Sequence, residues 1–529
     1  MITTAISRSS LKQFSAFSSA FGQNQTSFAP FIQRPFHTLN DLYEQAKLKQ
    51  TNYSSANRAI LVATIEKQLG SELSESQREN LSLLAKDTTF TITTGHQLTL
   101  FGGPLFLVYK VLHAVKLSAQ FNASQSEIKT VPLFWLASED HDVDEIRSTA
   151  LFNKTLTWET EQKGPVGRFH LTDYTAVLEE LLPFFASNEQ SEILALMRDL
   201  PMEHYGTHYQ VFASRLFRAF GVLVLQPDER ELKQLFAPVI QKELEEQPSF
   251  TAVQTTNLQL EQAGWKPQAQ ARACNLFLLN ESGRHRIDPS ENGFTIDGVT
   301  YSNAQILEKL AQEPEAFSPN VILRPVYQET ILPNLAYIGG GGEMAYWIQL
   351  KEVFRVHNTV YPLIQQRNSL VLIDGGTTKR MEKLNWELER FFEPKEQLRK
   401  RYLLENDAEQ MDLSAIQEHF QTLRLAMIQK AKAVDVSLES YAEAETVRIS
   451  KQLEAYEQRL IKQVKQQHDQ SLKAIDGVCD RLFPGNELQE RFFHWLNFAA
   501  NGDYSSLLAT ILEAIDPFNS ELIVVELKN

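Results

Sequence analysis

Glu139-Asp-His-Asp142 places three carboxylates and an imidazole on four successive residues, at the end of the apolar run Val131 to Ala137. Four neighbouring side chains cannot share one face, so some point into a site and others away from it. Three chemistries are open. Glu139, Asp140, His141 and Asp142 could hold a divalent metal through oxygen and imidazole ligands. They could supply a general base with an orienting carboxylate. They could also form an acidic helix start, favoured by the dipole alone.

A second constellation precedes it. Thr94-Gly95-His96-Gln97 closes a β-branched run that begins at Thr88. Gly95 lets backbone approach a ligand closely. His96 and Gln97 fall at, or just before, a helix start, where free N–H groups favour a phosphate or carboxylate. Gly102 and Gly103 offer a second close approach, and His96 could donate to charge developing on a phosphoryl oxygen. The segment resembles the first strand–loop–helix of the nucleotidylyltransferase-like fold, but lacks that superfamily's two-histidine spacing. The alternative is a tight turn with an incidental histidine.

A third group mixes Asn320, Arg324, Tyr327, Gln328, Asn334, Gly339, Gly340, Glu343 and Tyr346. Arg324 suits bidentate recognition of a carboxylate or phosphate. The glycines could form an anion nest, and Glu343 could pair with a substrate amine. The alternative is a structural loop that closes the sheet. His113, His357 and Trp135 read as structural.

The elements that must position these groups follow an α/β pattern. Residues 40 to 86 read as helical. The Thr88 and Val131 runs and Phe220 to Gln226 read as buried strands of a parallel sheet, with a helix from Leu105 and another from about Glu229. Open sheets of this kind place ligands at the carboxyl ends of their strands. Residues 274 to 302 read as short antiparallel strands, and Pro319 to Gly342 as loop-rich. From Lys395 to Asp476 there is no Gly or Pro. Within that stretch Ile449, Leu453, Tyr456, Leu460 and Val464 form a coiled-coil-like seam. A single helix of that length would span on the order of 120 Å, so two or three helices folded back on one another are expected. Gly477 reads as its stop, and residues 521 to 527 as a final strand.

A chain of 529 residues is expected to hold more than one domain. The net charge of −15 argues against nucleic-acid partners, and no apolar run is long enough for a membrane span. Two distant cysteines, Cys274 and Cys479, fit a reducing, cytoplasmic setting and leave no disulfide framework. Neither has a neighbouring base in sequence, so a thiol nucleophile is not expected. The acid-free, Ser-rich first forty residues or so faintly mimic a transit peptide, but are expected to pack on the core.

Taken in order, several motifs resemble the bacterial bacillithiol biosynthesis cysteine-adding enzymes. They are Thr94-Gly-His-Gln97, Gly103-Pro104, Tyr109-Lys110, Phe134-Trp-x-Ala-Ser-Glu-Asp-His-Asp142, Pro165-Val-Gly-Arg168, Ser318-Pro-Asn-Val-x-Leu-Arg-Pro-x-Tyr-Gln328, Tyr337-x-Gly-Gly340, Glu343-x-Ala-Tyr-Trp347, Leu482-Phe-Pro484 and Leu488-Gln-Glu-Arg491. The likeness runs from about residue 90 to the end. The chain departs from the usual pattern at His96, where the family often has Gln, and at Gly341-Gly342. The resemblance implies a Rossmann-like core over 1–375 with inserted segments near 150–205 and 265–318. It also implies a helical coiled-coil domain over 376–480, a final helix and strand over 481–529 packing back on the core, and a homodimer. The implied reaction joins L-cysteine to the amine of glucosaminyl malate. Making an amide from a carboxylate at neutral pH needs an activated acyl group, which ATP would supply, with Mg²⁺ beside it. His141, Asp142, Asp140, Glu139 and His96 are then the catalytic candidates. Thr94, Gly95, Gln97, Gly102, Gly103, Arg168 and the third group would bind substrate or nucleotide. A metal-dependent hydrolase using residues 139–145, or a non-enzymatic coiled-coil scaffold, are the competing expectations.

Overall fold

The computed structural model describes residues 3–527 except 153, 187–189, 281 and 500–501, with the side chains of 3 and 408–411 also left aside. The chain divides into two units: residues 1–372 with 489–527, and residues 373–488.

The first unit is built on a parallel sheet of five strands: Thr89–His96 (β1), Lys129–Leu136 (β2), Leu223–Leu225 (β3), Asn334–Gly339 (β4) and Leu363–Gln366 (β5). Across the sheet they lie in the order β5, β4, β1, β2, β3, and every pairing is parallel. The chain therefore moves outward from β1 to β3 and then returns to the far side of β1. The reversal between β1 and β4 opens a crevice at their carboxyl ends, where open α/β sheets take ligands.

Helix α1, Leu105–Ser124, links β1 to β2. Its residues are buried on nearly every side, because it packs on β1 and β2 and also against the helix Tyr504–Ala514. That explains its all-round apolar sequence. Phe90 and Ile92 of β1 meet Ala114, Leu117 and Phe121 of α1 in one core cluster. Helix α2, Arg230–Glu246, follows β3. The first residues also belong to this unit: Thr3–Ile6 pairs antiparallel with Leu522–Glu526, and Phe21, Phe28 and Phe31 are buried.

The segment from Pro319 to Gly342, which reads as loop in sequence, is mostly regular. Helix α3 covers Arg324–Ile331, with Pro325 in its first turn, where no backbone donor is needed. Asn334–Gly339 is a fully buried inner strand. Helix α4, Gly341–Trp347, starts within the glycine run. Strand β5 is not marked in the sequence, because Pro362 precedes it and Gln365 and Gln366 make half of it polar. An antiparallel insertion joins Leu276–Asn280 to Gly283–Arg286 on one side and Phe317–Pro319 on the other.

In the second unit the helices Lys395–Met411, Ser414–Val434, Glu439–Gln467 and Asp469–Leu482 fold back on one another. Gly477 does not end the run but lies inside the last of these. That last helix packs on the helix Gly375–Leu384, with Gly477 beside the Arg380 side chain. Asp374 caps that helix through Thr377 N–H and pairs with Arg481. Among the described residues no helix is long and apolar enough to cross a membrane.

Candidate active site

A cavity of about 760 Å³ opens at the carboxyl ends of β1, β2 and β4, within the size range of small-molecule sites. Its walls come from the strand ends, from α1 and α4, and from the antiparallel insertion.

At the floor, Lys110 of α1 reaches the carbonyl of Gly95 and Glu343 Oε2, the latter at 2.7 Å. Glu343 also accepts from Tyr337 Oη at 2.6 Å and from the Gly340 N–H at 2.8 Å. Burial pushes the Glu343 carboxyl up, but Lys110 and these donors outweigh it and hold the group below its ordinary value. Lys110 itself is pulled down by burial, against the opposing effect of Glu343. Glu343 is thus a fixed anion with its lone pairs already engaged, and not a free partner for an amine.

His96 packs against Phe106 at this floor, and its Nε2 is buried without a partner. Burial, then the nearby Lys110 charge, lower its imidazole to about 3, so it is neutral at physiological pH. A neutral ring with an unpaired nitrogen can exchange a hydrogen bond with a ligand. Arg324 lies between the rings of Trp135, Tyr337 and Trp347, donates to Gln328 at 3.1 Å, and keeps a buried Nη2 without a partner. Asn320 and Tyr346 complete this side.

The acidic run after β2 divides. Glu139 turns inward to the ammonium of Lys233 on α2, which also donates to Phe317 O at 2.6 Å. Burial raises the Glu139 carboxyl, with Lys233 opposing. Asp140 accepts from Gln97 and from the His141 N–H, and stands 3.7 Å from Arg284. Burial alone would raise it, yet these donors hold it well below the carboxylate range. His141 lies off the cavity wall, half exposed, with Nδ1 at 3.1 Å from Arg284 Nη1. Asp142 accepts from the Glu145 N–H at 3.2 Å and caps the turn Val143–Ile146. The run is therefore part anion site, part helix start.

This donor set does not fit a resident metal. Glu139, Asp140 and Glu343 already face lysine, arginine or amide donors, and among the described residues no cluster of His, Cys, Asp and Glu has metal-binding form.

Of the residues expected to bind or react, Gly95, His96, Gln97, Glu139, Asp140, Asn320, Arg324, Gly340, Glu343 and Tyr346 line the cavity. The others lie elsewhere. Helix α1 begins only at Leu105, so His96 and Gln97 do not form its start. Gly102 and Gly103 have positive φ and are packed against Trp495, Phe212 and Thr99, which leaves no room for a phosphate. Thr94 donates to Ile338 O at 2.8 Å, tying β1 to β4. Gly339 packs on Met344. Asn334 accepts from Thr91 and Thr93 and donates to Glu329, which in turn meets Gln328 and Lys49. Tyr327 donates to Pro227 O, and Arg168 forms a two-point pair with Asp228. These are scaffold contacts.

The cavity also contains groups that sequence reasoning passed over. Lys110 was visible only as part of the Tyr109-Lys110 motif, a lysine in a mostly apolar helix that also carries Lys116. Glu145 lines the rim, and burial together with Asp142 and Asp140 raises its carboxyl. Arg284 and Arg286 were visible as an alternating pair on a short strand. Arg272, Arg367 and Arg491 line the walls too; Arg491 ends the Leu488-Gln-Glu-Arg491 motif, while nothing local in sequence marks Arg272 or Arg367.

Residues 1–368 match the family description "Bacillithiol biosynthesis BshC, N-terminal Rossmann-like domain", and residues 370–527 match "Bacillithiol biosynthesis BshC, C-terminal coiled-coil domain". The chain belongs to the BshC family. Its relatives include a protein of Flavobacterium johnsoniae, 34% identical over 513 residues, covering 95% of this chain and 96% of the relative. A protein of Cytophaga hutchinsonii is 36% identical over 490 residues, covering 91% and 92%. Both relatives bear the name "Putative cysteine ligase BshC". The helical BshC unit and the Rossmann-like BshC core thus correspond to the two parts of the family, although residues 489–527 fold with the core.

Proposed function

We propose that this chain ligates L-cysteine to the amine of glucosaminyl malate in bacillithiol biosynthesis, through a cysteine carboxylate activated by ATP. The observation that carries this reading is the match to named cysteine ligases along nearly the whole chain. The cavity supports it, with fixed charges, a neutral imidazole and a carboxyl of raised affinity for protons around one space. The cysteine carboxylate displaces either pyrophosphate or ADP from ATP and becomes an acyl adenylate or acyl phosphate. The amine then attacks the acyl carbon, the amide bond forms, AMP or phosphate leaves, and one proton is released. Glu145 accepts that proton at the rim, and His96 Nε2 donates to or accepts from the reacting groups. Mg²⁺ arrives as the complex of ATP rather than on a protein carboxylate cluster. A cytoplasmic setting keeps the substrate thiol reduced, and Cys274, whose thiol burial pushes up, stays inert beside it. Leu425 and Val434, 68% and 69% exposed, lie on the helical unit through which we propose the chain forms a homodimer.

The test is a mass-spectrometric assay of purified protein with glucosaminyl malate, L-cysteine and ATP. Product at the amide mass, dependent on ATP and accompanied by AMP or ADP, is expected. Glu145→Gln should lower kcat by roughly 10²-fold with little change in KM, as for loss of a general base. No product, or equal product without ATP, would overturn the reading.

A further inference from the structure

We propose that Arg272 and Arg286, backed by Arg284, form a subsite for a dicarboxylate, the malyl end of the acceptor. This rests on the acceptor named above, but its binding test does not. The argument begins with strand alternation. In Gly283–Arg286, successive side chains point to opposite faces. His285 turns away from the cavity, toward Ser282 at 2.9 Å and Asp297 at 3.4 Å. Arg284 and Arg286 line the cavity, as does Phe277, which is in register with Arg286 on the paired strand.

Arg284 is fixed. It stacks over Phe277 at 4.0 Å, donates to Pro319 O at 2.8 Å and Ser318 Oγ at 3.3 Å, and has Asp140 as a counter-charge. Arg286 and Arg272 differ. Both line the cavity, and among the described residues no acceptor or counter-ion is recorded for either guanidinium. The backbone that carries Arg272 is anchored, since its N–H donates to Asn275 Oδ1 at 3.0 Å. Two planar guanidinium forks facing one space match two planar carboxylates.

The same wall disfavours a polyphosphate. Among the described residues it presents no lysine, a usual partner of phosphates. Asp288, the next lining residue beyond Arg286, sets a negative limit on how far an anion can extend. A short dianion fits within that limit better than a phosphate chain.

Titration calorimetry on the full chain tests this, with L-malate as one probe and inorganic pyrophosphate as the other. L-malate is expected to bind, and Arg286→Ala and Arg272→Ala are each expected to weaken it at least tenfold. Arg286→Lys should retain part of the affinity, and melting temperatures should stay near that of the parent. In the ligation assay the same variants should raise KM for glucosaminyl malate at constant kcat, with no effect on an acceptor lacking the malyl group. Unchanged L-malate affinity in both alanine variants would sink the subsite. So would pyrophosphate binding that the variants lose and L-malate fails to displace. Absence of ligation in the parent protein, with L-malate binding lost in the variants, would overturn the ligase reading and leave the subsite standing.

Discussion

Lys110 sits on a mostly apolar helix, and among the described residues its ammonium meets the Gly95 carbonyl and Glu343. Its side chain is 3% exposed, so the charge is not relieved by water. Removing one member of such a pair leaves the other buried and unpaired. Lys110→Met is expected to destabilise the core unit by about 3–5 kcal/mol, and Lys110→Met with Glu343→Gln to recover most of that loss. Urea denaturation of the two single variants and the double variant gives the coupling. An additive result would show that the ion pair does not order the floor. Residue type alone pointed to His96, Gln97, Asp140 and Glu343 as chemistry-bearing. It could not distinguish them from Asn334 or Gln328, which are as polar but end in a buried scaffold network. Lys110 stood out only within a motif and not as a site residue for the opposite reason: a lysine on a mostly apolar helix more often carries its charge out to water.

Between residues and molecule, the short turn Val166–Arg168 controls where the β2 strand end lies. Val166 N–H donates to Asp140 O and Gly167 N–H to Ser138 O, both at 2.8 Å. A Cβ on Gly167 would stand 2.6 Å from Ser138 Cβ and 2.9 Å from Ser138 O, where backbone cannot yield cheaply. Gly167→Ala should therefore cost about 1–3 kcal/mol and displace Glu139 and Asp140. Its expected signature is a lower melting temperature together with reduced turnover per folded molecule. A variant with parental melting and turnover would rule out this clamp. The glycine was legible as part of a motif, but its partner was not, because the contact joins segments far apart in sequence. Strands β1 and β2 were readable from their unbroken apolar or β-branched runs. Strand β4 was hidden by Asn334 and the following glycines, since a polar start and a glycine end suggest a loop. Central burial between β1 and β5 overrides that local preference.

At the scale of the whole molecule, the core unit holds four of its buried histidines neutral. Burial lowers His96 to about 3 and His113, His208 and His494 to about 4. In the unfolded chain each returns to the ordinary value near 6.5. Between those limits the unfolded state binds more protons, so stability rises with pH and is lost as pH falls. The loss begins near pH 6.5 and continues toward 4, and at pH 5 it amounts to about 2 kcal/mol for each histidine. Glu139 and Glu329, whose carboxyls burial raises, act in the opposite sense: their share is present at low pH and fades as pH rises. The histidine share is separated by substitution. Differential scanning calorimetry at pH 7 and pH 5 should show the core transition moving down on acidification. His494→Gln, which removes one titrating group, should flatten that shift whatever its effect at pH 7. The helical unit, with none of these four histidines, should move less. A core transition at the same temperature at both pH values would mean that the buried imidazoles do not govern the acid limit of the fold.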